Sequence, residues 1–79
     1  MTDAEIFGKR IRELREKRGL SQEKLAQASN LTTGFVSTIE SGKKTPSLTT
    51  ILKLAYGLKI DAAELFSVFT FDVLRKLKL

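Results

Sequence analysis

The sequence predicts an all-α domain, and three observations lead to that prediction. Apolar residues recur at helical spacing from the start of the chain, beginning with Phe7, Ile11 and Leu14. A hydroxyl or carboxylate side chain precedes each later apolar stretch, as is typical of helix N-caps. The 79 residues contain one Pro and no Cys. One small domain without disulfides is therefore expected, since a domain averages ~150 residues.

Each of five expected helices has a recognisable start or stop. The first runs over 4–18 and ends at Gly19, which readily adopts the left-handed conformation that closes a helix. Asn30 stands at a later reversal, where a positive φ is expected. Asp61 with Glu64 is predicted to form a capping box. The remaining helices are predicted at 22–29, 33–41, 48–58 and 62–67.

The second and third helices have the spacing of a helix-turn-helix. A two-turn helix is too short to be stable alone in water, so helix 22–29 has to pack against a neighbour. The small Ala26 lets helix 33–41 approach closely, and Leu25, Val36 and Ile39 can then share one core.

Four short motifs at fixed spacing resemble the Cro/repressor-type (XRE) helix-turn-helix family of bacterial and phage regulators. They are Gly19-Leu20-Ser21-Gln22 with Leu25-Ala26, Ile39-Glu40-Ser41-Gly42-Lys43, Pro46-Ser47-Leu48, and Ala63-Glu64-Leu65-Phe66. The resemblance implies a compact five-helix DNA-binding domain at residues 1–66, with helix 33–41 as the recognition helix in the major groove. It also implies an ion pair between Arg15 and Glu40 that orients the helices, and a left-handed conformation at Lys59, where family members often have Gly.

The same resemblance supplies candidate DNA contacts. Base-reading side chains are expected on the recognition helix at Thr33, Gly34, Phe35, Ser37 and Thr38. Phosphate contacts are expected at the start of the preceding helix and in the loop after the recognition helix, at Ser21, Gln22, Lys43, Lys44 and Thr45. The charge pattern agrees independently, because residues 41–60 contain four lysines and no acidic residue in a chain of net charge +5.

The predicted recognition helix lacks the side chains that most often recognise specific bases. It contains no Arg, Lys, Gln or Asn, the side chains that make the commonest specific base contacts. Thr hydroxyls, and the contact of Phe35 or a Thr methyl with a thymine methyl, remain available, as do water bridges and DNA shape. Gly34 disfavours the helix, but it lets the backbone approach DNA closely. The alternative for Phe35 is that it packs between helices and reads nothing.

The last thirteen residues are too apolar for a disordered tail. Residues 67–79 are expected to form a dimerisation segment, with a helix over 68–78 favoured over a strand. An isologous homodimer would use an apolar stripe made of Phe66, Phe69, Phe71, Val73, Leu74 and Leu77. The alternative is that the tail folds back over its own core.

The predicted function is a homodimeric regulator that binds a palindromic operator in double-stranded DNA. The small core with one terminal dimerising element is similar to the controller proteins of restriction–modification systems, and to small phage repressors and antitoxin-type regulators. A protein-interaction module acting through the tail is the alternative. The absence of His and Cys removes most catalytic and zinc chemistry, so no enzyme, cofactor, metal or small-molecule effector is expected. Nothing in the sequence predicts a membrane segment or a signal peptide, and a cytoplasmic location is expected.

Overall fold

A computed structural model describes all 79 residues, Met1 to Leu79, and every regular element in it is a helix. The all-α prediction is therefore confirmed. The helices are α1 (Asp3–Lys17), α2 (Gln22–Ala28), α3 (Thr33–Glu40), α4 (Leu48–Leu58), α5 (Ala62–Phe66) and α6 (Phe71–Leu77). None of the six has the length and apolar character needed to span a membrane.

Three left-handed residues close helices where the sequence predicted them. Gly19 has φ of 69° after α1, Asn30 has φ of 56° in the turn between α2 and α3, and Lys59 has φ of 58° at the end of α4. The turn at Asn30 is tied together by the Leu31 N–H, which donates to the carbonyl of Ala26 at 2.9 Å. Such a reversal satisfies a carbonyl that the end of α2 would leave unpaired.

The predicted capping box at Asp61 is wrong. The Asp61 side chain makes no cap hydrogen bond, because the N–H of Glu64 already donates to the Asp61 backbone carbonyl at 3.0 Å. A full capping box forms instead at the start of α1. There the Thr2 hydroxyl accepts from the Glu5 N–H at 3.1 Å, and the Glu5 carboxylate accepts from the Thr2 N–H at 2.8 Å.

The core lies where α1, α2, α3, α4 and α5 meet. The residues that precede the N-caps of α2, α3 and α5 (Leu20, Leu31 and Ile60) are partly buried against it, as staple residues should be. The buried apolar set is Phe7, Ile11, Leu14, Leu25, Ala26, Val36, Ile39, Leu54, Ala55, Leu58 and Leu65.

Two buried glycines allow helices to touch at the backbone. A Cβ at Gly8 in α1 would overlap the carbonyl oxygens of Ile39 and Glu40 at the end of α3. A Cβ at Gly57 in α4 would overlap the hydroxyl of Ser29 at the end of α2. Because α1 and α4 therefore contact the ends of α3 and α2, the helix-turn-helix is held rigidly on the rest of the domain.

The tail is helical, as favoured, but its helix is shorter than the predicted 68–78. Thr70 caps α6 by accepting from the Val73 N–H at 3.3 Å, so residues 68–70 lie before the helix. The predicted single stripe is therefore divided, because Phe66 and Phe69 precede α6 while Val73 and Leu77 lie on it. No residue of α6 is fully buried within the chain.

Candidate nucleic-acid interface

The structure brings α2 and α3 together through one face of α3 and leaves the other face open. Val36 and Ile39 point into the core and have no solvent exposure. Thr32 caps the helix, because its hydroxyl accepts from the Phe35 N–H at 3.1 Å. The first turn of α3 is thereby fixed while its outer surface faces solvent.

The five predicted base-reading residues share this outer surface but differ in exposure. Thr33, Gly34 and Ser37 are exposed, whereas Phe35 and Thr38 are half-buried. The Thr38 hydroxyl donates to the Gly34 carbonyl at 2.9 Å. In that geometry its oxygen can only accept a further hydrogen bond, which suits the amino group of adenine or cytosine in the major groove.

Phe35 lies between the core and the basic loop. One part of its ring packs against the buried apolar cluster. The ammonium group of Lys44 lies 5.4 Å from the ring centroid, within the range of a cation–π interaction. The ring therefore packs against the core and also borders the candidate DNA surface, while its contact with a base stays a prediction.

The predicted phosphate-binding residues lie at the start of α2 and in the loop after α3. Lys43, Lys44 and Thr45 are exposed in that loop, and Gly42 enters it with φ of 76°. The Ser21 hydroxyl accepts from the Lys24 N–H at 3.0 Å, which caps α2. The hydroxyl acts here as an acceptor, so its O–H can still donate to a phosphate oxygen.

Arg15 and Glu40 form a buried bidentate pair between α1 and α3. The Arg15 Nε donates to Glu40 Oε2 at 2.6 Å and its Nη2 donates to Oε1 at 3.0 Å, while Nη1 donates to the Leu20 carbonyl at 2.8 Å. These hydrogen bonds to Glu40 raise the pKa of Arg15 above its ordinary value, and burial opposes the rise only in part. The pair connects α1, the α1–α2 turn and the end of α3.

Gln22 belongs to the same network. Its side-chain amide donates to Glu40 Oε1 at 3.0 Å, so one of its two N–H groups is already used inside the domain. The second N–H and the amide oxygen remain for an outside partner. Nothing in the sequence indicates this contact, because a Gln at the start of a helix has many equally good rotamers.

The predicted dimer residues fall into two groups. Phe69 packs against the chain's own core, so the folded-back alternative describes this residue of the tail. Phe66, the last residue of α5, contacts Phe7 of α1 at a centroid distance of 6.1 Å and Phe69 at 6.5 Å, and it is still 41% exposed. Phe71 and Leu74 remain exposed on α6, by 81% and 39% respectively, while Val73 and Leu77 are half-buried.

A second exposed apolar surface lies on α4. Leu48, Leu52 and Tyr56 follow one another at intervals of four residues and are 67%, 50% and 80% exposed. Sequence reasoning missed this stripe because α4 is apolar on two faces. Only the structure distinguishes it from the opposite stripe, in which Leu54 and Leu58 enter the core.

Comparison with known proteins agrees with the fold. The model of the helix-turn-helix family matches residues 11–65. The control protein C.MunI of Mycoplasma sp is 44% identical over 69 residues, a match that covers 85% of this chain and 93% of that protein. The crystal structure of the restriction-modification controller protein C.AhdI from Aeromonas hydrophila superposes with a TM-score of 0.79 at 50% identity. That superposition covers 81% of this chain and 97% of the other.

A third relative is longer. The HTH-type transcriptional regulator PuuR of Escherichia coli is 45% identical over 62 residues, which is 76% of this chain but 32% of PuuR. The present chain thus corresponds to about a third of PuuR and to nearly the whole of the two controller proteins. With the family model covering more than half of the chain, the resemblance seen in the sequence motifs is confirmed, and the chain belongs to the helix-turn-helix family.

Proposed function

We propose that this protein is a homodimeric, sequence-specific DNA-binding transcription regulator that recognises a palindromic operator. The observation that carries the proposal is the open outer face of α3, with Thr33 and Ser37 exposed beside the basic loop that holds Lys43 and Lys44. Hydroxyls on a rigid helix can contact base edges, and the adjacent lysines can neutralise phosphates. It acts by binding and not by catalysis, and its site of action is the cytoplasm.

Control of a restriction–modification operon, including control of its own gene, is the specific role we propose. C.MunI and C.AhdI match this chain over nearly their whole length, whereas only part of PuuR is matched. In such control, the occupancy of the operator follows the concentration of the regulator itself.

The tail is proposed as the dimer interface. Helix α6 has seven residues and buries none of them in its own chain, and a helix this short is marginal without packing. Packing of Phe71 and Leu74 against a symmetry-related α6 would supply that support. Two recognition helices set about 34 Å apart would then read a palindrome.

Selection of bound duplexes from a random pool tests the DNA-binding proposal, with the oligomeric state measured by sedimentation. An enriched palindrome and a dimer are expected. If four to six phosphates are neutralised per dimer, log K should fall against log salt with a slope of about −4 to −5. A monomer that enriches no sequence would favour a protein-interaction module acting through the tail.

Paired variants locate the interface. The F71S/L74S double variant should sediment as a monomer, whereas the matched L52S/Y56S variant of the α4 stripe should remain dimeric. If instead L52S/Y56S is a monomer and F71S/L74S a dimer, the protein dimerises through α4 and not through α6. For the phosphate contacts, Lys43→Ala should weaken binding to all sequences alike and reduce the steepness of the salt slope by about 2, since one contact is lost from each protomer of the dimer.

A further inference from the structure

The two adjacent lysines of the loop after α3 have different surroundings. Both are exposed, and the sequence offers no reason to separate them. The Lys44 ammonium lies 5.4 Å from the centre of the Phe35 ring. The Lys43 side chain takes part in none of the hydrogen bonds, ion pairs or ring contacts of the structure, and its backbone N–H donates to the Thr38 carbonyl at 3.2 Å. The ring contact belongs to Lys44 alone.

We propose that Lys44 is a positioning residue for Phe35, and that it links a phosphate contact to the presentation of the Phe35 ring on the recognition helix. The inference rests on the proposed DNA-binding function. Phe35 is the third residue of α3, next to the exposed Gly34, and its backbone N–H is held by the cap at Thr32. The backbone is therefore fixed, and the ring orientation is what Lys44 can influence.

The geometry supports a bridging role. The core holds one part of the ring, and the Lys44 ammonium lies over it from the side of the loop. An ammonium group carries three N–H donors. It can therefore keep its position near the ring while another donor bonds to a phosphate oxygen. The energy of a cation–π contact at an exposed site favours the ring orientation that makes the contact by about two- to fivefold over orientations that lack it.

This arrangement predicts different roles for neighbouring charges. Lys43 adds a sequence-independent attraction to the backbone of DNA. Lys44 adds a similar attraction and also fixes the ring that borders the bases, so its removal weakens discrimination among bases as well as affinity. The base positions affected should be those that depend on Phe35.

The experiment compares four full-length variants on the operator found by selection and on its complete set of single-base changes. They are K44M, the matched control K43M, F35L and the double variant F35L/K44M. K44M should reduce discrimination by about two- to fivefold at the same base positions as F35L. K43M should lower affinity equally for every duplex, and K44M should cause no further loss of discrimination in the F35L background. Equal profiles for K43M and K44M, or additive losses in the double variant, would overturn the proposal.

A second readout needs no DNA. In the free protein, the ring current of Phe35 should move the NMR signals of the Lys44 ε-methylene upfield, and F35L should abolish that shift. The corresponding Lys43 signals should be unaffected. Absence of the shift would overturn the positioning role even if DNA is bound. If the protein shows the expected upfield shift but enriches no duplex, the DNA-binding function is refuted and, with it, the role of Lys44 in base discrimination.

Discussion

The substitution Gly34→Ala tests whether the fold or DNA binding requires a glycine at this position. Gly34 is the second residue of α3 and is exposed, and its φ is not in the left-handed region. No heavy atom lies within 4 Å of the point where a Cβ would stand. The fold therefore gains nothing from a glycine here, although glycine costs about 1 kcal/mol of helix stability relative to alanine.

The free protein should become more stable in this variant. A gain of about 1 kcal/mol corresponds to a rise in Tm of about 4–8 °C for a domain of this size. If the glycine lets the α3 backbone approach DNA, the added methyl group would stand between the two. Operator binding should then weaken by about tenfold or more, which corresponds to a loss of about 1.4 kcal/mol of binding free energy or more. Denaturant unfolding and titration of the selected duplex measure the two effects on the same preparation.

Two controls make the result interpretable. Glu13→Ala changes an exposed position on α1 and should leave affinity unchanged. Gly8→Ala places a Cβ against the carbonyls of Ile39 and Glu40 and should destabilise the fold. A Gly34→Ala protein that is more stable and binds its operator as tightly as before would refute close approach of the backbone at this residue.

Three further predictions concern stability. Glu40→Ala leaves the Arg15 guanidinium without its partner in a buried site and should cost about 3–5 kcal/mol in denaturant unfolding, with Glu40→Gln less harmful. Gly57→Ala should lower Tm, because its methyl group would overlap the Ser29 hydroxyl. The hydrogen bond from the Thr2 backbone holds the pKa of Glu5 below its ordinary value. This contribution to stability is therefore present at pH values above the ordinary pKa of a glutamate and is lost as pH falls through the lower folded value. Wild type and Glu5→Gln should consequently converge in stability in acid.

Local signals predicted most of the fold because they act within one or two turns of helix. Gly19 and Asn30 were assigned left-handed conformations from their positions at helix ends, and Lys59 from the family resemblance. All three have positive φ. The capping box was misplaced for a physical reason. The Asp61 backbone carbonyl accepts the N–H that its side chain would have accepted, and sequence does not report whether the backbone or the side-chain oxygen of a residue is used.

Contacts between distant segments were harder to predict. The family resemblance implied the Arg15–Glu40 pair, and the structure brings these residues together. The Gln22–Glu40 and Lys44–Phe35 contacts had no counterpart in the sequence reasoning, because flexible side chains can adopt many rotamers. Likewise, the sequence does not show which apolar face of α4 is buried, because that depends on how α1, α2 and α5 pack against it.

The weak base contacts expected from α3 are compatible with specific binding because the helix is held at both ends. The Thr32 cap fixes its first turn, while the buried Arg15–Glu40 pair and the close approach of Gly8 fix its last. A surface already ordered in the free protein loses little conformational entropy on binding, so more of each small contact energy contributes to affinity. Loss of rigidity at the Glu40 end should therefore reduce operator discrimination, even though Glu40 touches no base. Mild weakening of the pair by Glu40→Gln, at a temperature where the variant remains folded, should show this as a loss of preference for the operator over single-base variants. Unchanged preference would mean that the contacts of α3 are strong enough to order the helix by themselves.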